Sequence, residues 1–412
     1  MKIAFFSDCY LDLTGGIVTA INAEKAELKK RGHTVAVFSS AYPRPKKELT
    51  KLAKQHIYPV PSCKIFARGL TPISRRPKIV MDWLEKTHPE LKDFDIFYIH
   101  YEAGCSIAAL KLAKKYRIPA IQVMHGREDM GETNIIPRGF RTLVATILNF
   151  AHSLYLPHPI KIRPDNYLAN SRAKAKMWSL MVNHANAADL VLTPSEHFAK
   201  KLKHYGVSKK IIPLKNGISD AIFPKNLTPR VLGPNETLKI IWHSRVSAEK
   251  RMMPFLRALK SVDGPYHLDV FGGGGDFFRA KRFARRHHLN VTFRGNAKFD
   301  MVYKTLQNSH LDVLVSCNFD TFGMTLIEAA SVGVPTLIVD PDMKEILPKG
   351  GFLFAKNPSP EAMAAAINEL FKNPDKLTKM SKILIENRDA ARISRRIDAL
   401  EKIFESAIIK ES

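Results

Sequence analysis

The chain has 412 residues, 45% hydrophobic and 25% charged. That is too long for one ordinary domain and suits two of ~200 residues, each able to bury a core without a disulfide or metal staple. The formal charge is +25, with 30 Lys/Arg against 17 Asp/Glu in residues 1–200 and 34 against 22 in the rest. Such a balance favours acidic partners but, being spread over both halves, selects no class of them.

Cys9, Cys63, Cys105 and Cys317 are scattered, and no C-x-x-C pair occurs. The expectation is reduced thiols in a cytoplasmic protein, with no disulfide framework and no zinc. The apolar run from Ile3 stops at Ser7-Asp8, too early for a secretory signal. No apolar stretch reaches the ~20 residues of a membrane span, so a soluble or surface-lying protein is expected.

Taken in chain order, short apolar runs alternate with amphipathic stretches. Ile3–Ser7 reads as a strand, Asp12-Leu13-Thr14-Gly15-Gly16 as a loop, and Ile17–Arg31 as a helix. Gly15 and Gly16 at a helix start permit close approach of a phosphate. Further strands are expected at Val35–Ser39, Ile96–His100, Ala120–Met124 and Leu190–Thr193. Runs without alternation suit strands covered on both faces, and the intervening helices suit right-handed crossovers. His125 caps the Ala120–Met124 run, with Glu128 and Asp129 close behind.

Two segments of this half break the pattern. Residues 41–79 hold ten Lys/Arg and one acid. Residues 137–177 join Phe140, Leu143, Ile147, Phe150 and Leu154 to Arg138, Arg141 and further cations. Basic and apolar residues at helical spacing mark a helix lying on an anionic membrane surface; the alternative is a packed helix with solvated cations.

Asn216–Leu238, with three prolines and two glycines, is the expected boundary. Beyond it a second strand series follows: Ile240–His243, Leu268–Phe271, Val291–Arg294, Val313–Ser316 and Thr336–Val339. The expected fold is therefore α/β, doubly wound, twice, with chemistry at the carboxyl ends of the strands. Asn387–Ile409 reads as one long polar helix.

The most informative stretch is Cys317–Asp340, C-N-F-D-T-F-G-M-T-L-I-E-A-A-S-V-G-V-P-T-L-I-V-D. A helix start near Phe322-Gly323 offers free N–H groups to an anion such as a diphosphate. Glu328 lies ~7.5 Å along that helix and leans back toward its start, and Asp320 sits in the preceding loop. Two carboxylates thus flank one phosphate-sized site. His243-Ser244-Arg245-Val246-Ser247-Ala248-Glu249-Lys250 follows a strand, and its two cations suit a diphosphate. Asp340-Pro-Asp342 is formally D-x-D but reads as a turn, so no metal is expected.

The Cys317–Asp340 segment resembles the E-x-F-G-x-x-x-x-E-A-x-x-x-G-x-P signature of family 4 retaining glycosyltransferases, which have the two-domain GT-B fold. Asp320 stands where the family has Glu. His243–Lys250 resembles the family's G-R-x-x-x-E-K, with Ser244 in place of Gly. Arg31-Gly32-His33, Thr193-Pro194-Ser195-Glu196 and Lys215-Asn216-Gly217-Ile218 are smaller matches, and Gly272–Gly275 replaces a G-x-G-P turn. The resemblance implies two Rossmann-like domains facing across a cleft: residues 1–220 for the acceptor and 221–386 for the donor. Residues 387–412 would be a helix crossing back.

It also implies roles for individual residues. Glu328 would hold the nucleotide ribose, and Asp320 with Phe322, Gly323, Met324 and Thr325 would cradle sugar and phosphate. Arg245 and Lys250 would replace a metal at the diphosphate. Gly295 and Asn296 would meet the base, Gly15 and Gly16 would face the donor, and His125 would lie at the sugar. Lipid-glucosylating members carry a similar His, Glu, Asp group. The resemblance therefore implies metal-independent transfer of glucose from UDP-glucose, with retention, to diacylglycerol or a glycolipid. Such an enzyme would sit peripherally on the inner face of the membrane, with Glu128, Asp129, Arg138, Phe140, Arg141 and Ile147 on the acceptor or membrane side. A soluble acceptor, a silent nucleotide-sugar binder and a nucleic-acid binder are the competing readings.

Overall fold

The computed structural model describes residues 1–8, 15–63, 73–127, 129 and 136–411. The chain forms two compact units, residues 1–215 with 396–412, and residues 216–395.

In the first unit the strands are β1 (Lys2–Ser7), β2 (Thr34–Ser40), β3 (Ile57–Val60), β4 (Ser62–Cys63), β5 (Ile73–Ser74), β6 (Ile96–His100), β7 (Ala120–Val123), β8 (Leu190–Thr193) and β9 (Ile211–Pro213). Seven of them form one parallel sheet in the order β3-β2-β1-β6-β7-β8-β9. Phe5 and Tyr98 meet edge to face on one side, and Phe6, Phe38 and Phe97 form a cluster on the other. Burial on both faces is why these strands read as unbroken apolar runs.

The second unit holds β10 (Leu238–His243), β11 (Tyr266–Phe271), β12 (Val291–Gly295), β13 (Leu311–Leu314), β14 (Thr336–Ile338) and β15 (Phe352–Phe354). They form a parallel sheet in the order β12-β11-β10-β13-β14-β15. Ile240, Trp242, Val270 and Val313 are buried in one cluster, and Ile241 and Phe271 in another. The strand order reverses between β1 and β6 in the first sheet and between β10 and β13 in the second. Such switch points leave a crevice at the carboxyl ends of the strands.

Two sequence-based expectations change. β3, β9 and β15 were not foreseen, because edge strands of three or four residues carry little periodicity. The long polar helix expected over Asn387–Ile409 is divided into Asp375–Asn387, a short 3-10 turn, and Ile393–Glu411. Arg392 takes an extended backbone and bridges to Ile218. Ser394 donates to Asp220 (2.7 Å), and a Cβ on Gly217 would meet the Ile393 Cα at 2.7 Å. A close strand-like contact thus interrupts what local propensity would continue. Further on, Arg396 is buried on Glu24 (2.6 Å) and donates to the carbonyls of Leu214 and Lys215.

Candidate active site

The switch point of the second sheet gathers most of the residues singled out by sequence. After β10 the chain makes a short turn, Ala248–Lys250, ended by Arg251 in the left-handed conformation. After β13 it loops to Gly323, whose φ of +72° starts the helix Met324–Ser331. A Cβ on Gly323 would lie 2.7 Å from Leu314 Cδ2, so both space and backbone call for glycine. No side chain caps this helix, so its first N–H groups stay available to an anion.

Lys250 and Asp320 meet here. The ammonium donates to both carboxylate oxygens, at 2.7 and 2.9 Å, and Ser316 Oγ also donates to Asp320. Each of the paired side chains is 12% exposed. Asp320 is therefore the counter-ion of Lys250. Arg245 is two-thirds exposed and pairs with Glu249 at 3.2 Å; Glu249 in turn accepts from Ser247 Oγ. The hydroxyls of Ser244 and Thr325 are buried without a hydrogen-bond partner. Unsatisfied buried donors beside an open helix start suit an oxygen-rich ligand.

The Gly272–Gly275 turn supports the cationic loop. Val246 N donates to Gly273 O (2.8 Å) and Asp276 N to Val246 O (3.0 Å). Side chains at Gly272 or Gly274 would strike the Ser244 and Val246 carbonyls at 2.3 and 2.4 Å. Gly295 accepts from Gly272 N, and the Asn296 side chain borders Gly273. Phe322 is only 3% exposed and lies in an apolar cluster with Leu314, Leu326 and Ile338, while Met324 packs against its edge. The Phe322 side chain thus anchors the loop in the core just before the helix start. Asp340 caps the turn Pro341–Glu345, accepting from Asp342 N, and also holds Asn318 N (2.6 Å). The D-x-D is thus a turn, as its sequence setting indicates. Among the described residues no three His, Cys, Asp or Glu side chains converge as a metal site.

Glu328 is 12% exposed and lies against a residue that sequence reading quoted without a role. His243 Nδ1 is 3.4 Å from Glu328 Oε2, and His243 Nε2 is 3.1 Å from Asp312 Oδ1. Burial opposes the imidazolium, but the two carboxylates outweigh it and push its pKa up to about 10. The signal that could have found this group was an acid inside an apolar strand, Leu311-Asp312-Val313-Leu314, with a histidine ending the neighbouring one.

In the first unit, His125 Nε2 lies 2.8 Å from His100 Nδ1, with the rings stacked. Burial, then the charge of Arg396, depresses His125 to about 3, so it is a neutral imidazole. Gly15 starts the helix Gly16–Lys30 with φ +152° and no side-chain cap. Asp12, Leu13, Thr14 and Glu128 lie outside the described residues. Asp129 is fully buried and held by Arg127 through two bonds of 3.0 and 2.6 Å, so its carboxylate is a structural anchor. By contrast Phe140, Leu143, Ile147, Phe150 and Leu154 are 56–64% exposed. Their spacing of three and four residues makes one stripe along the turn Arg138–Phe140 and the helix Arg141–Ser153. Arg138 is exposed beside it, and Arg141 Nε donates to Ile136 O (2.9 Å).

Comparison with known proteins identifies the family and the fold. Residues 14–221 match the family model "Glycosyltransferase Family 4", and residues 225–389 match "Glycosyl transferases group 1". The chain is 23% identical over 359 residues to the alpha-monoglucosyldiacylglycerol synthase of Streptococcus pneumoniae, covering 82% of this chain and 70% of that protein. It is 23% identical over 403 residues to the protein of the same name from Acholeplasma laidlawii, covering 93% and 91%. Among solved structures, Anabaena Alr3699/HepE in complex with UDP and glucose superposes with a TM-score of 0.67 at 14% identity, covering 98% of this chain and all of that one. With both halves matched and two Rossmann-like sheets in place, the chain belongs to glycosyltransferase family 4 and is a glycosyltransferase of the GT-B fold.

Proposed function

We propose that the protein transfers glucose from UDP-glucose to a membrane lipid such as diacylglycerol or a glycolipid, with retention and without a metal. The donor reading is supported by the Lys250–Asp320 pair beside the open start of Met324–Ser331, and by the solved neighbour that holds UDP and glucose. The diphosphate would lie on the helix start, with Lys250 and Arg245 balancing its charge. The bond from the acceptor hydroxyl oxygen to the anomeric carbon forms as the bond from that carbon to the phosphate oxygen breaks. The hydroxyl proton passes to the departing phosphate on the same face, so no protein nucleophile is required. His125, neutral and held by His100, would donate a hydrogen bond to the sugar.

The observation that carries the lipid acceptor is the exposed apolar stripe from Phe140 to Leu154, flanked by Arg138 and Arg141. An apolar face of this size with basic flanks suits the boundary of an anionic bilayer. No helix among the described residues is long and apolar enough to cross a membrane, and the proposed placement is peripheral, on the inner face. The two relatives named for monoglucosyldiacylglycerol synthesis point the same way.

Radiolabelled UDP-glucose supplied with diacylglycerol in phosphatidylglycerol vesicles should give a labelled glycolipid, α-linked by NMR, undiminished by EDTA. Label released only to water, or transferred only to soluble saccharides, would overturn the lipid reading.

A further inference from the structure

Glu328 does not stand alone. Its carboxylate, Asp312 and His243 form a row beneath the loop that carries Ser244 and Arg245. His243 is the last residue of β10, Asp312 lies inside β13, and Glu328 is on the helix Met324–Ser331. The His243 side chain is 4% exposed and that of Asp312 is fully buried. Thr336 Oγ1 donates to Asp312 Oδ2 (2.9 Å), while Oδ1 has no hydrogen bond among the described residues and lies 3.1 Å from His243 Nε2. Among the described residues no Lys or Arg forms an ion pair with either carboxylate. Two buried acids with one histidine between them repel unless the ring carries the compensating charge.

We infer that His243 is a positioning residue for the nucleotide: it holds one oxygen of Glu328 against the Asp312–His243 row and leaves the other free for the ribose hydroxyls. This rests on the reading of Glu328 as the ribose ligand. A carboxylate on a helix side chain has several rotamers, and a vicinal diol needs one of them. The buried His243 ring fixes that rotamer from the core side of Glu328. Tyr303 also faces this group: it donates to the Ile222 carbonyl (2.8 Å) and contacts Ser331 Oγ, and burial with the charge of Glu328 raises its pKa. It therefore stays neutral and leaves His243 as the sole cation in the row.

The test compares binding of UDP and of 2′,3′-dideoxy-UDP by calorimetry. The wild type should prefer UDP by about 10-fold or more, the ratio expected of a charged hydrogen bond. Glu328→Ala should remove the preference. In His243→Val the preference should fall to about 3-fold or less, with affinity for the dideoxy probe unchanged. His243→Gln, which keeps a donor without the charge, should lie between, and serves alone if the valine variant does not fold. A folded His243 variant that keeps the full preference, or loses affinity equally for both probes, overturns the inference and leaves the donor reading intact. Equal binding of both probes by the wild type overturns the ribose role of Glu328 and the inference with it.

Discussion

At the scale of single residues, chemistry depends on which charges touch. Asp320 reads in sequence as a carboxylate waiting for a sugar. In the fold it neutralises Lys250, with Ser316 fixing its orientation. Asp320→Asn therefore has two expected effects. Sugar transfer should fall about 100-fold or more, as when a preorganised electrostatic group is removed. UDP affinity should be unweakened, because Lys250 becomes free to meet the diphosphate. Turnover and direct UDP titration separate the two, and unaltered turnover would show that the sugar lies elsewhere. Asp129 teaches the complementary lesson. The resemblance puts it on the acceptor side, and in the fold the bidentate pair with Arg127 holds it fully buried.

At the scale of elements, the helix Arg141–Ser153 shows how one element serves two surroundings. Its inner side holds Ala145 and Leu148 against Ala173 and Met177, and Asn149 donates to the Lys176 carbonyl (2.8 Å). His152 is buried beside His184. Its outer side is the stripe of Phe140, Leu143, Ile147, Phe150 and Leu154. Because the stripe buries little within the protein, changing it should not unfold the chain. The double variant Ile147→Asp, Phe150→Asp should lower vesicle affinity by about 10-fold or more, from lost apolar burial and added like charge. Stability toward urea should move by less than about 1 kcal/mol. A large loss of stability with unchanged vesicle co-sedimentation would mean that the stripe serves a protein contact. Basic and apolar residues at helical spacing made the membrane reading legible; which of the apolar residues stay exposed was decided by packing.

At the scale of the whole molecule, the last helix returns residues 396–412 to the first unit, and its anchor is a buried ion pair. Arg396 sits on Glu24 with Tyr98 beside it, and burial raises the Tyr98 hydroxyl far above its usual range. Arg396→Ala would leave Glu24 buried and unpaired, at a cost of about 3–5 kcal/mol, readable by urea denaturation. A change under about 1 kcal/mol would show that the helix is held by its apolar face and by the pairs of Asp398 and Glu401 with Arg31 instead.

The first unit also carries a neutral histidine chain. Gln122 donates to the carbonyls of Tyr101 and Val123, so its oxygen accepts from His184 Nε2. Nδ1 of His184 then accepts from His152, and His152 Nδ1 from His158. Burial, then neighbouring histidines, lowers His152 to about 2 and His184 to about 3. Above pH ~6.5 these rings are neutral in both folded and unfolded chains, so their contribution is fully present. As pH falls below that value only the unfolded chain takes up protons, and stability should drop, by about 2 kcal/mol per ring at pH 5. Stability measured from pH 7 to 5 should fall less in His184→Gln than in the wild type; identical slopes would contradict the neutral chain.

The sequence by itself determined a great deal. Unbroken apolar runs specified parallel strands covered on both faces, because a strand buried twice has no polar side to alternate. Spacing brought Asp320, Gly323 and Glu328 to one loop and helix start, because a helix fixes the distance between its residues. Tertiary structure alone decided the rest. Lys250 found Asp320 seventy positions away, and His243 found Asp312 and Glu328, because the reversal of strand order sets β10 beside β13. Such pairings leave no local period. Each comes from two strands far apart in the chain lying side by side in the sheet, and the burial there makes a charge without a partner too costly to keep.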